Sequence, residues 1–151
     1  MSLSSEIKSP SAAVELRYFT VTQANSALTY IRPVIADIRR TYRQAVALQQ
    51  AIEQAEDQAQ HDQLQKDYDQ VVERLNGYVD ELQEVGVELK DFDMGLVDFP
   101  AMHGDQPIML CWRDGEDAVT TWHDMDSGFA ARKELSTLSE PADESTFDSE
   151  E

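Results

Sequence analysis

Residues 20–52 read TVTQANSALTYIRPVIADIRRTYRQAVALQQAI, and within them Leu28, Ile31, Ile35, Ile38, Tyr42, Ala45, Gln49 and Ile52 recur at alternating steps of three and four. A strand repeats every two residues and a helix every 3.6, so this spacing predicts one long helix whose apolar seam only Gln49 interrupts. Thr20 and Gln23 open it as a capping box, the hydroxyl accepting from an orphan amide while the Gln side chain reaches back. Pro33 falls inside the pattern, where it removes an amide donor and crowds the carbonyl of Thr29, which predicts a bend at that turn.

On the C-terminal side a second seam runs Leu64, Tyr68, Val71, Leu75, Tyr78, Leu82 and Val85, and Gly86 follows where a helix cap belongs. Between the seams, Glu53 to Asp62 holds no apolar residue larger than alanine, so a turn is expected there and the two helices form a hairpin. Lacking a Gly or Pro to enforce the turn, one continuous bent helix is the other reading. Val34 and Leu48 widen the first apolar stripe, and Val72 and Val79 the second, beyond what two helices can cover between them. A further layer must pack on the hairpin: a sheet, a second copy of the chain, or both.

Beyond Gly86 the apolar period shortens. Val87-Glu88-Leu89-Lys90 alternates, and Gly95-Leu96-Val97-Asp98-Phe99 is a short apolar run. Ile108 to Trp112 and Val119 to Trp122 are two more strands, and Asp114-Gly115 between them suits a tight hairpin turn. The expected fold class is α+β, a long antiparallel helical hairpin packed with a small C-terminal antiparallel β-meander. Trp112, Trp122, Phe92 and Phe99 are its expected core face.

At 151 residues the chain is one domain's worth, expected over 18–133, with a disordered lead at 1–17 and a disordered acidic tail at 134–151. Thirty Asp and Glu against twelve Lys and Arg leave a formal charge of −18. That field repels phosphate backbones and anionic headgroups, so neither nucleic acid nor a membrane is an expected partner. One cysteine, no secretory-type apolar stretch and no long apolar run give a cytoplasmic expectation.

From Phe19 to Arg132 the chain resembles the uncharacterised prokaryotic domain-of-unknown-function 2203 family. The segments that carry the likeness are Gly95-Leu96-Val97-Asp98-Phe99-Pro100, Leu110-Cys111-Trp112-Arg113, and Trp122-His123 followed by Gly128-Phe129, with Phe19-Thr20-Val21 and Ala24-Asn25 at the helix opening. The chain departs from the family pattern in having Ala130-Ala131-Arg132 where members place Gly before Arg. The resemblance implies this architecture and transfers no reaction.

Chemistry concentrates in Glu88–Asp126, which holds ten carboxylates, two basic residues, two histidines and Cys111. Asp98 stands in an apolar run, where a carboxylate needs a cation, a donor or a proton. If the meander brings strand ends together, Asp98 and His123 with Asp124 or Asp126 are candidate ligands of a divalent metal ion; the reading preferred over it is a structural Asp and His satisfied by hydrogen bonds, with no spacing rule forcing the two together. Cys111 would be a nucleophile only with His123 in reach, and its Leu110–Trp112 context reads as packing instead. Arg32, Arg39 and Arg43, with Arg40, could grip an anionic ligand, or pair with carboxylates of the second helix, the meander or another subunit. The leading expectation is a non-enzymatic self-association or protein-interaction module, most simply a homodimer. The alternative is a metal-dependent hydrolase with its His/Asp site near the sheet.

Overall fold

The computed structural model describes residues 17–138; the rest of the expected lead and tail lies outside the described residues. Helix α1 (Val21–Glu53) and helix α2 (Gln58–Val85) form the hairpin, and strands β1 (Glu88–Asp91), β2 (Leu96–His103), β3 (Gln106–Arg113), β4 (Thr121–Asp124) and β5 (Lys133–Glu134) follow. The strands lie in one sheet in chain order, every neighbouring pair antiparallel. The expected α+β class and helical hairpin are both present.

Each helix end has a local cause. At the start of α1 the Thr20 hydroxyl accepts from the Gln23 amide at 2.9 Å, and the Gln23 side chain accepts from the Thr20 amide at 2.9 Å, completing the capping box. Pro33 leaves the helix continuous, flanked by Ile31, Val34 and Ile35, all buried. The turn occupies residues 54–57 and ends on Asp57, whose carboxylate accepts from the Gln60 amide at 2.8 Å and caps α2. Gly86 closes α2 in the left-handed region, at φ 95°.

The layer that the helix stripes require is the sheet. Val34, Val72 and Val79 are buried in one cluster with Val97, Phe99, Leu110, Trp112 and Trp122. Those sheet residues share one face by strand alternation and register, and it is the face turned to the helices. Phe92 instead stacks on Tyr42 of α1, ring centroids 5.2 Å apart. Exposed large apolar side chains among the described residues are Tyr18, Tyr30 and Met125.

The tight hairpin is not where the sequence placed it. His103 pairs with Gln106, so Gly104 and Asp105 alone connect β2 to β3, with Gly104 at φ 63°. Asp114-Gly115 instead opens a longer connection, in which Val119 is not a strand residue and its amide donates to the Asn25 side chain of α1 at 2.7 Å. Pro100 is tolerated within β2 because its carbonyl points away from β3, taking the Phe19 amide at 2.7 Å. A residue's nitrogen and carbonyl face the same side of a strand, so no ladder bond is lost there.

Gly95 enters β2 at φ 68°, beneath α1. A Cβ there would lie 2.8 Å from Ile35 Cγ2 and 2.9 Å from both Arg39 Cδ and Asp114 Cβ. Gly95→Ala is expected to destabilise by about 2–4 kcal/mol, combining left-handed strain with overpacking, read as a lower urea midpoint at unchanged slope.

The ordered domain also runs past the expected boundary at residue 133. Leu135 donates its amide to the Thr120 carbonyl at 2.9 Å, Thr137 accepts from the Trp122 indole at 3.0 Å, and Leu135 and Leu138 pack on the core. A chain ending at Lys133 should therefore be less stable than one ending at Leu138, by on the order of 2 kcal/mol, measured by thermal unfolding of the two side by side.

Candidate functional site

The sheet has a second face, pointing away from the helices, and it is polar at its centre. Asp98 of β2 lies directly opposite Cys111 of β3, Cys111 opposite Thr121 of β4, and His123 is two residues beyond Thr121. By alternation all four side chains rise from this outer face. One ligand atom each from Asp98, Cys111 and His123 lies within 4.8 Å of the others, and all three residues are buried. The His123 Nε2–Asp98 Oδ2 contact is 3.0 Å, with each side chain 3 % exposed.

Hydrogen bonding determines where the protons are. The Asp124 carbonyl lies 2.7 Å from His123 Nδ1, and a carbonyl can only accept, so Nδ1 carries a hydrogen. The Nε2–Oδ2 contact then needs a further proton between imidazole and carboxylate, since two lone pairs would otherwise face each other at 3.0 Å. Burial pulls the imidazolium down, but the bond to Asp98, the bond to the Asp124 carbonyl and the Asp98 charge together outweigh it, so the His123 pKa stands above its ordinary 6.5. The Cys111 thiol is pushed up to about 12, chiefly by burial and then by the Asp98 charge, against the pull of the Arg132 guanidinium. A thiol in that state, beside an imidazole whose two nitrogens are both engaged, is no nucleophile.

Of the four expected ligands, the structure brings together Asp98 and His123. Asp124 joins through its backbone carbonyl, not its carboxylate, and Asp126 is exposed outside the cluster. The third donor is Cys111, which its apolar neighbours had assigned to packing. Strand alternation would have found it: Leu110 and Trp112 face the helices, so the residue between them faces the other way.

The arginines of α1 are engaged within the chain. Arg39 pairs with Asp114 at 2.9 Å and donates to the Asp93 carbonyl at 2.7 Å, while Arg43 pairs with Asp93 at 3.0 Å. Arg40 pairs with Asp37 at 2.5 Å, one turn away. Arg32 donates to the carbonyls of Glu116 and Asp117 and lies over the Trp112 ring. A cleft of about 500 Å³ runs beside Arg39, Arg40 and Arg43, but carboxylates already offset its charge. Pairing with the meander, one of the two sequence readings, accounts for Arg39 and Arg43; an anion grip is not needed.

A protein family described as an uncharacterized conserved protein, DUF2203, matches over residues 17–135. The chain belongs to this family. No curated protein and no solved structure matches it. In this DUF2203 chain the three buried donors fall one each in the three strand segments on which the resemblance rests. No described helix is long and apolar enough to cross a membrane.

The raised His123 pKa has a sign that can be measured. Folding holds that proton more tightly than the unfolded chain does, so its contribution to stability is complete below about pH 6.5 and disappears as pH climbs through the folded-state pKa. With chelator present, the urea midpoint should decline from pH 6 upward, and His123→Ala should remove that component of the decline. A wild-type midpoint that rises over this window would contradict the assignment.

Proposed function

We propose that this protein is a non-enzymatic metal-binding module that holds one divalent ion between Asp98, Cys111 and His123. The observation that carries the reading is the convergence of an oxygen, a sulfur and a nitrogen donor, from three neighbouring strands, within 4.8 Å in a buried place. Zinc–ligand bonds of about 2.0–2.3 Å put tetrahedral donors roughly 3.5 Å apart, so an ion would widen the 3.0 Å Nε2–Oδ2 contact slightly, with the sulfur within 4.8 Å of both atoms. The Nδ1–H bond to the Asp124 carbonyl leaves Nε2 as the coordinating atom, the outer-shell arrangement that metal-bound histidines use.

Charge balance supports the same reading. The site without metal contains a neutral thiol and one proton shared between Asp98 and His123. Exchanging those two protons for a divalent cation leaves the buried charge unchanged, which avoids the large penalty of adding net charge to an apolar interior. The thiol selects the class of ion: sulfur with imidazole favours zinc and related borderline metals over magnesium or calcium, which take oxygen donors.

A hydrolase would need an exposed coordination position for water and substrate, whereas these side chains are almost wholly buried. Self-association was expected from the width of the helix stripes. Val34, Val72 and Val79 are buried in the core shared with the sheet, while Leu48 stays only partly buried, and a second copy is a separate question for sedimentation of the full chain.

Protein purified without chelator, or reconstituted with zinc, should hold one ion per chain by elemental analysis. Asp98→Asn, Cys111→Ser and His123→Ala should each weaken retention, by about tenfold to a hundredfold or more, while Asp126→Asn should leave it intact. Wild-type protein that takes up no ion, or retention unaffected by all three substitutions, would overturn the reading.

A further inference from the structure

Access to this site is closed from one direction by the segment after β4. Arg132, following the short 3-10 turn Phe129–Ala131, places its guanidinium 3.4 Å from Thr121 Oγ1, and Thr121 lies directly opposite Cys111 in the β3–β4 pairing. It is held there by two hydrogen bonds to the Glu116 carboxylate, at 3.2 and 2.6 Å, and by stacking over the Phe129 ring at 4.1 Å. The stretch from Gly128 to Glu134 is otherwise lightly attached: Gly128, Ala130 and Ala131 are exposed, and strand β5 has two exposed residues paired with β4 at two positions. Firm anchoring resumes only at Leu135 and Leu138, which pack on the core, and at Thr137, which accepts from the Trp122 indole. Short pairing with little burial marks a segment that opens at lower free energy than the sheet beneath it.

We infer that the segment from Gly128 to Glu134 is a gate over the Asp98–Cys111–His123 site, latched by the Arg132–Glu116 pair and hinged where Leu135 returns to the core, so that the ion exchanges through local opening of this segment. The inference rests on the metal-binding reading above. It makes the site an exchangeable one instead of a permanent staple. Arg132 acts by position: its charge favours the thiolate while Glu116 offsets it, and neither residue needs to bind the ion.

Zinc alone is the probe, with uptake followed by a chromophoric indicator in stopped flow and release driven by excess chelator, on the full chain. Arg132→Gln and Glu116→Gln should both speed uptake and release, each by about tenfold, the factor expected for losing one partly exposed charge-assisted latch. Amide exchange in residues 128–134 should quicken in both variants relative to the sheet. Faster release with unchanged uptake would mean that Arg132 only stabilises the thiolate, and would overturn the gate while leaving the site standing. Unchanged rates in both variants would do the same. Wild-type protein that binds no zinc would overturn the site itself, and the gate with it. If Arg132→Gln fails to fold, Glu116→Gln together with wild-type amide exchange decides: protection of residues 128–134 equal to that of β3 overturns the gate.

Discussion

Two residues between β2 and β3 set the register on which both faces of the sheet depend. With Gly104 and Asp105 as the whole connection, His103 must meet Gln106, and from there Phe99 meets Leu110 and Asp98 meets Cys111. A slip of one residue would turn every side chain of a strand over. In β2 it would bring Asp98 into the apolar contact with the helices and push Val97 and Phe99 outward; in β3 it would do the same to Cys111, Leu110 and Trp112. The hydrophobic core and the polar cluster are thus two consequences of one register, and neither can be altered without the other.

Such a sheet normally has one wet face. Here its outer centre is buried and charged, and the cost of burying Asp98 is met by giving it a proton-bearing partner in His123. The arginines meet a different need. In a chain with a formal charge of −18, Arg39 and Arg43 neutralise Asp93 and Asp114 where the loops of the sheet pass under α1. Arg32 satisfies carbonyls of the β3–β4 connection in the same way. Most of the acidic excess is left on exposed surface, where it repels other anions.

Sequence carries the structure directly where the physics is local. The Thr20–Gln23 box, the two helical seams and the Gly86 cap each involve residues within one or two turns of each other, so spacing alone carries the information. The β-turns were harder. Asp114-Gly115 has a favourable turn sequence and becomes part of a seven-residue connection, 114–120, because the Val119 amide finds the Asn25 side chain on α1. The two-residue turn fell instead to Gly104-Asp105, whose flanking His103 and Gln106 show no strand pattern by themselves. Beyond residue 133, Leu135 and Leu138 are too few to form a periodic pattern, yet the Thr120 carbonyl accepts from the Leu135 amide and the Trp122 indole donates to Thr137.

The sequence by itself determined the hairpin, the presence of a meander, the family and the need for Asp98 to find a proton, donor or cation. Tertiary structure decided which atoms answer that need. Asp98, Cys111 and His123 belong to three strands, and whether they meet depends on turn lengths and register that side-chain identity does not encode. A period of two assigns Cys111 to the face opposite Leu110 and Trp112, but only pairing across β2, β3 and β4 puts its sulfur beside that carboxylate and that imidazole. Asp124, adjacent to His123 in β4, loses the contest because a strand sends successive side chains to opposite faces, and Asp126 lies past the end of the strand, exposed in a turn.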